Sequence, residues 1–137
     1  KAESVWFFCD TEKMIPVRVM PEDVEAYGEG EALDLGKAPR KIAVPENYEE
    51  ETPVTIAVHH LDTNHHVNNA QYVDIAREAV TCTKKVKEIR VDYKKAAVLG
   101  EVLIPRVTKT GEDEWTIVLA GEDKEIRAVV WLKYEEA

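Results

Sequence analysis

From Thr52 to the end of the chain, apolar and polar positions follow two clear periods. Val54, Ile56 and Val58 alternate with Thr55 and Ala57, the period of two that marks a half-buried strand. Tyr72, Val73, Ala76, Ala79 and Val80 recur at steps of three and four, which predicts a helix with one apolar face. Asn68 or Asn69 suits its N-cap, since a short side-chain oxygen can accept a first-turn N–H. Four more strands are predicted at Lys87–Lys94, Glu101–Lys109, Trp115–Ala120 and Glu125–Tyr134, broken by Gly100, Gly111 and Gly121. In the second of these, Val102, Ile104 and Arg106 share a face, and Pro105, lacking an N–H, points to a sheet edge or bulge. In the last, Ile126, Ala128, Val130 and Leu132 share a face. A lone helix must bury its apolar side, and the antiparallel sheet around it in sequence is the simplest partner. The expected class is α+β: a curved antiparallel sheet wrapped around one central helix.

The leading part is less regular. Ser4–Asp10 is rich in aromatic and β-branched residues and reads as a strand. Asp10–Lys13 is a turn signal, and Met14–Val19 a second extended run. Pro21, followed by Glu22 and Asp23, opens a short helix that ends by Gly28. Residues 28–51 are rich in Gly, Pro and Glu and read as a surface linker.

Composition narrows the function classes. The 137 residues are 45% hydrophobic, enough for one compact core. No run approaches the roughly 20 apolar residues of a membrane span. Lys1 stands where a chain would begin with Met, so the N-terminus reads as trimmed. The formal net charge is −9, with −7 on residues 1–51 and −2 on the rest. Such acidity disfavours nucleic-acid binding, which needs clustered cations to neutralise phosphates. A local basic stretch, Lys84, Lys85, Lys87, Arg90, Lys94 and Lys95, is the exception. Cys9 and Cys82 have no CxxC partners, so neither a disulfide framework nor a zinc site is expected, and the compartment reads as reducing and cytoplasmic.

All four histidines fall within eight residues: His59, His60, His65 and His66, with Asp62, Asn64, Asn68 and Asn69 among and beside them. The cluster lies where a strand ends and a helix begins, where free N–H groups and the helix dipole favour developing negative charge. Metal binding fits poorly, because His-His-x4-His-His lacks the i, i+4 spacing of a helical zinc site. A calcium loop fails for want of Gly at its sixth position and Glu at its twelfth. Plain capping accounts for Asp62 and Asn68 but requires no histidines. Capping and a catalytic or acyl-binding loop both stay open as readings of these residues alone.

Leu61-Asp62-Thr63-Asn64-His65-His66-Val67-Asn68-Asn69, followed by Tyr72, resembles the D-x-N-x-H-V-N-N-x-x-Y signature of acyl-acyl carrier protein thioesterases. Ser4-Val5-Trp6, Asp10, Pro16, Pro21 and Tyr27 resemble the closing strand of that family's first hotdog repeat and its linker. Tyr93-Lys94-Lys95 and Leu99-Gly100-Glu101 resemble the second and third strands of its second repeat. The resemblance implies a hotdog fold, with residues 1–51 as closing strand plus linker and 52–137 as the C-terminal hotdog domain. It also implies a fragment or truncated relative that pairs with another hotdog, either its own first repeat or a second copy.

The implied activity is hydrolysis of fatty acyl-acyl carrier protein thioesters in fatty acid biosynthesis. The alternatives are an acyl-coenzyme A thioesterase and a degenerate acyl-binding or assembly domain without catalysis. By resemblance the catalytic residues are Asn64, His66 and Asp62. No cofactor and no metal is implied. The implied partner is an acyl carrier protein; the basic stretch at Lys84–Lys95 reads either as a docking surface for it or as a solvated strand face, and no nucleic acid or membrane is expected. The family's acidic or thiol residue falls at Ala96 or Ala97, which cannot ionise. Glu101, Glu78 or Asp62 are the candidates to replace it.

Overall fold

The computed structural model describes residues 1–13, 15–36 and 39–136. Met14, Lys37 and Ala38, which belong to the expected second extended run and linker, lie outside the described residues. The chain forms two compact units, Lys1–Pro39 and Arg40–Ala137.

In the first unit, β1 (Phe8–Asp10) and β2 (Ile15–Val17) make a short antiparallel pair, followed by helix α1 (Pro21–Tyr27). The Asp10 carboxylate accepts the N–H groups of Glu12 and Lys13, which makes the turn between the strands. Asp23 accepts the Met20 N–H and so ties off the helix entry. The expected strand at Ser4–Asp10 is shorter than predicted, because only its last three residues find a β2 partner.

The second unit holds a six-stranded antiparallel sheet. Its strands are β3 (Glu49–Glu50), β4 (Val54–Thr55), β5 (Val86–Tyr93), β6 (Val102–Gly111), β7 (Glu114–Gly121) and β8 (Ile126–Tyr134). The order is β3-β6-β7-β8-β5, with β4 also paired to β6. Helix α2 (Asn69–Ala79) packs on β6, β7 and β8, which is the hotdog arrangement. The core between helix and sheet holds Tyr72, Ile75, Ala76 and Val80 against Leu103, Ile117, Leu119, Val130 and Leu132. Each fully buried aliphatic side chain there stabilises the fold by roughly 1.5–3 kcal/mol. Ile75 belongs to the buried helix face, whereas Val73 and Ala79 are only half-buried.

Three departures from the sequence pattern matter for the site. Val58 does not extend the strand over 54–58; it starts a single 3-10 turn, Val58–His60, and is 73% exposed. Pro105 lies inside the sheet, opposite the gap between β3 and β4, and its carbonyl accepts the Glu51 N–H. A strand residue directs its N and O to the same side, so the missing N–H falls on the interrupted side. Ile126 does not share a face with Ala128, Val130 and Leu132. Leu119 pairs with Ala128 but Ala120 pairs with Ile126, which makes Arg127 the extra residue of a β-bulge and reverses the alternation. Ile126 packs with Trp131 against Val118, Val129 and Ile42 on the opposite face of the sheet.

Residues 40–51, expected as linker, are part of this second unit. The Ile42 N–H donates to Asp92, Thr108 donates to the Asn47 carbonyl, and Glu50 pairs with Arg106. Among the described residues no helix is long and apolar enough to cross a membrane.

Candidate functional site

The histidine-rich loop is a small hairpin closed by a bridge between Leu61 and Val67. Asp62 organises it. Its Oδ1 accepts the N–H groups of Asn64 (2.8 Å) and His66 (3.2 Å), and its own N–H donates to the His66 carbonyl (2.8 Å). The His65 N–H donates to the Asp62 carbonyl, and His65 takes φ 60°, the left-handed region. A turn followed by one left-handed residue is a common way to close a short hairpin. His is among the non-glycine residues that tolerate this geometry best.

The hairpin is tied to two neighbours. Asn68 caps α2 by accepting the Ala70 N–H, and its carbonyl accepts the Gln71 N–H. Those bonds leave the Asn69 N–H as the first-turn donor that neither uses. On the other side Val67 donates to the Ala97 carbonyl (2.9 Å), and His66 forms a bridge with Val98. Ala97 in turn donates to the buried Tyr72 hydroxyl (2.8 Å). The signature tyrosine therefore acts as an internal brace between α2 and the segment after β5.

A cavity of about 230 Å³ opens at this junction, lined by Asp62, His66, Asn69, Tyr72, Tyr93 and Ala96 among others. Tyr93 donates to the Asn69 carbonyl and meets the Tyr72 ring edge-on at 5.8 Å. Burial raises the pKa of both phenols, so they remain protonated donors at neutral pH. The site residues separate here. Asp62 and His66 share the cavity, while Asn64 does not line it. Asn64 lies at the exposed tip of the turn, because its N–H is held by Asp62 before the chain reverses at His65. Of Asn64 and His66, only His66 lines this cavity.

The other histidines have different surroundings. His60 Nδ1 accepts the Ala57 N–H, and its carbonyl accepts the Asn68 N–H. Burial, then the charge of His59, lowers the His60 pKa, with Glu78 opposing. The His59 ring lies beside it, tilted by 46° with centroids 4.0 Å apart. Among the described residues no group of three or more His, Cys, Asp or Glu is placed to hold a metal ion.

Of the candidates for the missing acid, Glu101 is bound to Arg127 Nε at 3.0 Å. Glu78 lines a second cavity with Asp74, Arg77, Cys82 and Tyr134, near the C-terminal end of α2. Asp62 lines the loop cavity, and Ala96 itself faces into it. In the basic stretch, Lys84, Lys85, Lys94 and Lys95 pair with Asp113, Glu135, Asp92 and Glu125. These pairs reduce the local positive charge below what the sequence suggests. Sequence reasoning placed Asn69 beside the histidines only as a capping residue, and it passed over Arg127. The signal for Arg127 was a charge inside an otherwise apolar strand.

A model of the family described as acyl-ACP thioesterase C-terminal domain matches residues 44–131. No curated protein matches the chain. Among solved structures, it is similar to an acyl-ACP thioesterase from Bacteroides thetaiotaomicron, with TM-score 0.79 and 16% identity over 93% of this chain and 53% of that one. It is similar to the 12:0-ACP thioesterase from Umbellularia californica, with TM-score 0.71 and 16% identity over 93% of this chain and 52% of that one. A thioesterase from Thermus thermophilus, complexed with coenzyme A and zinc, has TM-score 0.55 and 18% identity over 66% of this chain and 87% of that one. The chain spans about half the length of the first two structures. The family match covers well over half of the residues, and the chain belongs to the acyl-ACP thioesterase C-terminal domain family.

Proposed function

We propose that this domain hydrolyses fatty acyl thioesters carried on acyl carrier protein, using the cavity at the start of α2. The observation that carries the reading is His66 lining that cavity together with Asp62, Asn69 and Ala96. In the proposed reaction water attacks the thioester carbonyl carbon while the His66 imidazole takes its proton. A C–O bond forms, the C–S bond breaks, and the leaving thiolate takes the proton back, giving a fatty acid and a thiol. The Asn69 N–H, at the positive end of α2, would stabilise the oxyanion. Asp62 holds the loop so that His66 stays at the cavity. Asn64, as placed, would have to swing over the rim to reach the same carbonyl.

For assembly, β5 is the proposed edge for a second hotdog. It is the outermost strand on its side of the sheet, and Ile89 and Tyr93 on it are 44% and 47% exposed.

One observation favours a second reading, a domain that binds acyl thioesters but has lost efficient catalysis. Ala96 lines the cavity where an ionisable group would sit beside His66, and Glu101 is engaged elsewhere.

The test is turnover of matched acyl esters of carrier protein and coenzyme A. The expected result is a kcat/KM about tenfold higher on the carrier-protein ester at low salt, falling as salt screens the encounter. Equal rates would remove the carrier-protein preference. No turnover of either, with binding retained, would favour the second reading.

A further inference from the structure

Arg127 stands out in the sheet. Its side chain is only 5% exposed, yet it sits in β8 between apolar neighbours. It is the extra residue of the β8 bulge, so its backbone is released from the β7 ladder. Its carbonyl accepts the N–H groups of Lys94 (2.9 Å) and Lys95 (3.2 Å), where the chain leaves β5. Its guanidinium binds Glu101 (3.0 Å), where the chain enters β6, and Asp123 (2.8 Å) in the β7–β8 turn. Glu125 lies 3.5 Å from it and also pairs with Lys95. One residue therefore grips both ends of the segment 94–101. Ala96 faces the cavity from the middle of that segment, and Ala97 is held there by Tyr72 and Val67.

We propose that Arg127 is a positioning residue: the bulge and its carboxylate fork set where position 96 stands relative to His66. Its functional consequence rests on the hydrolase reading above, but the positioning itself does not. Gly121 is built into the same device. A Cβ there would come within 2.6 Å of Asp123 Oδ1 and 2.9 Å of Arg127 Nη2, the ends of two flexible side chains, so the fork packs directly over this glycine.

The experiment is residue-resolved amide hydrogen exchange on the whole chain. Arg127→Met keeps the apolar stem and removes the fork. It is expected to speed exchange at Ala97 and Val67 by about tenfold or more, while Ile117 and Val130 in the sheet centre change by less than about twofold. Glu101→Gln, which weakens one grip and keeps Arg127, should give the same local pattern and decides the matter if Arg127→Met does not fold. No change at Ala97 and Val67, or an equal increase across β7 and β8, would overturn the proposal. In an Ala96→Glu background, Arg127→Met should lower kcat about fivefold or more and leave KM within about twofold. An unchanged kcat there would overturn the functional consequence, and exchange decides the positioning itself. Turnover absent from every variant would count against the hydrolase reading alone, and exchange would still decide the positioning.

Discussion

His66→Ala is expected to lower acyl-thioester turnover by roughly 10²–10⁴-fold, the usual contribution of a positioned general base. His66 is the histidine of the cluster that lines the loop cavity. His60 is committed to the turn through Ala57 and Asn68. His65 occupies the left-handed backbone position of the hairpin. The loop survives the substitution, because Asp62 holds it through backbone N–H groups and the His66 carbonyl, none of which needs the imidazole. Circular dichroism and unfolding midpoint should therefore stay close to those of the parent while turnover falls. A variant that keeps full turnover removes His66 from the mechanism.

Tyr72 has the largest expected effect on stability. Its ring is 2% exposed in the core between α2 and the sheet, and its hydroxyl accepts the Ala97 N–H. Tyr72→Ala empties that space and should cost about 3–5 kcal/mol in denaturant unfolding. Tyr72→Phe keeps the packing but strands the N–H of a fully buried alanine, an expected loss of about 1–3 kcal/mol. The two variants separate packing from bracing. If Tyr72→Phe is as stable as the parent, Ala97 has another partner and the brace is not needed.

The fold was largely legible in the sequence because β5 to β8 and α2 carry periodic apolar positions broken by glycines. What escaped depends on contacts distant in the chain. The Arg127 bulge shifts Ile126 to the opposite face, and alternation alone cannot reveal one extra residue. Ile42 lies in a stretch without strand or helix periodicity, and it is buried against Val118 and Val129, more than seventy positions further on. The lysine pairs of the basic stretch likewise use acids from beyond β8 and from the hairpin turns.

The site was legible only in part. The signature residues marked the loop, and the carboxylate of Asp62 was open to a capping or a catalytic use. The structure uses it on the loop. The separation of Asn64 from His66 follows from the left-handed turn at His65, which residue type permits but does not dictate. The proximity of position 96 to His66 comes from the backbone link between Val67 and Ala97, a long-range pairing that no local pattern encodes.

Introducing a carboxylate by Ala96→Glu and comparing turnover with and without His66→Ala probes most directly whether side chain 96 and the imidazole act on one substrate. A gain of about tenfold or more that vanishes when His66 is removed is the result this geometry requires. An Ala96→Glu protein no faster than its parent, or one whose gain survives without His66, would mean that the two positions do not serve a common reacting centre.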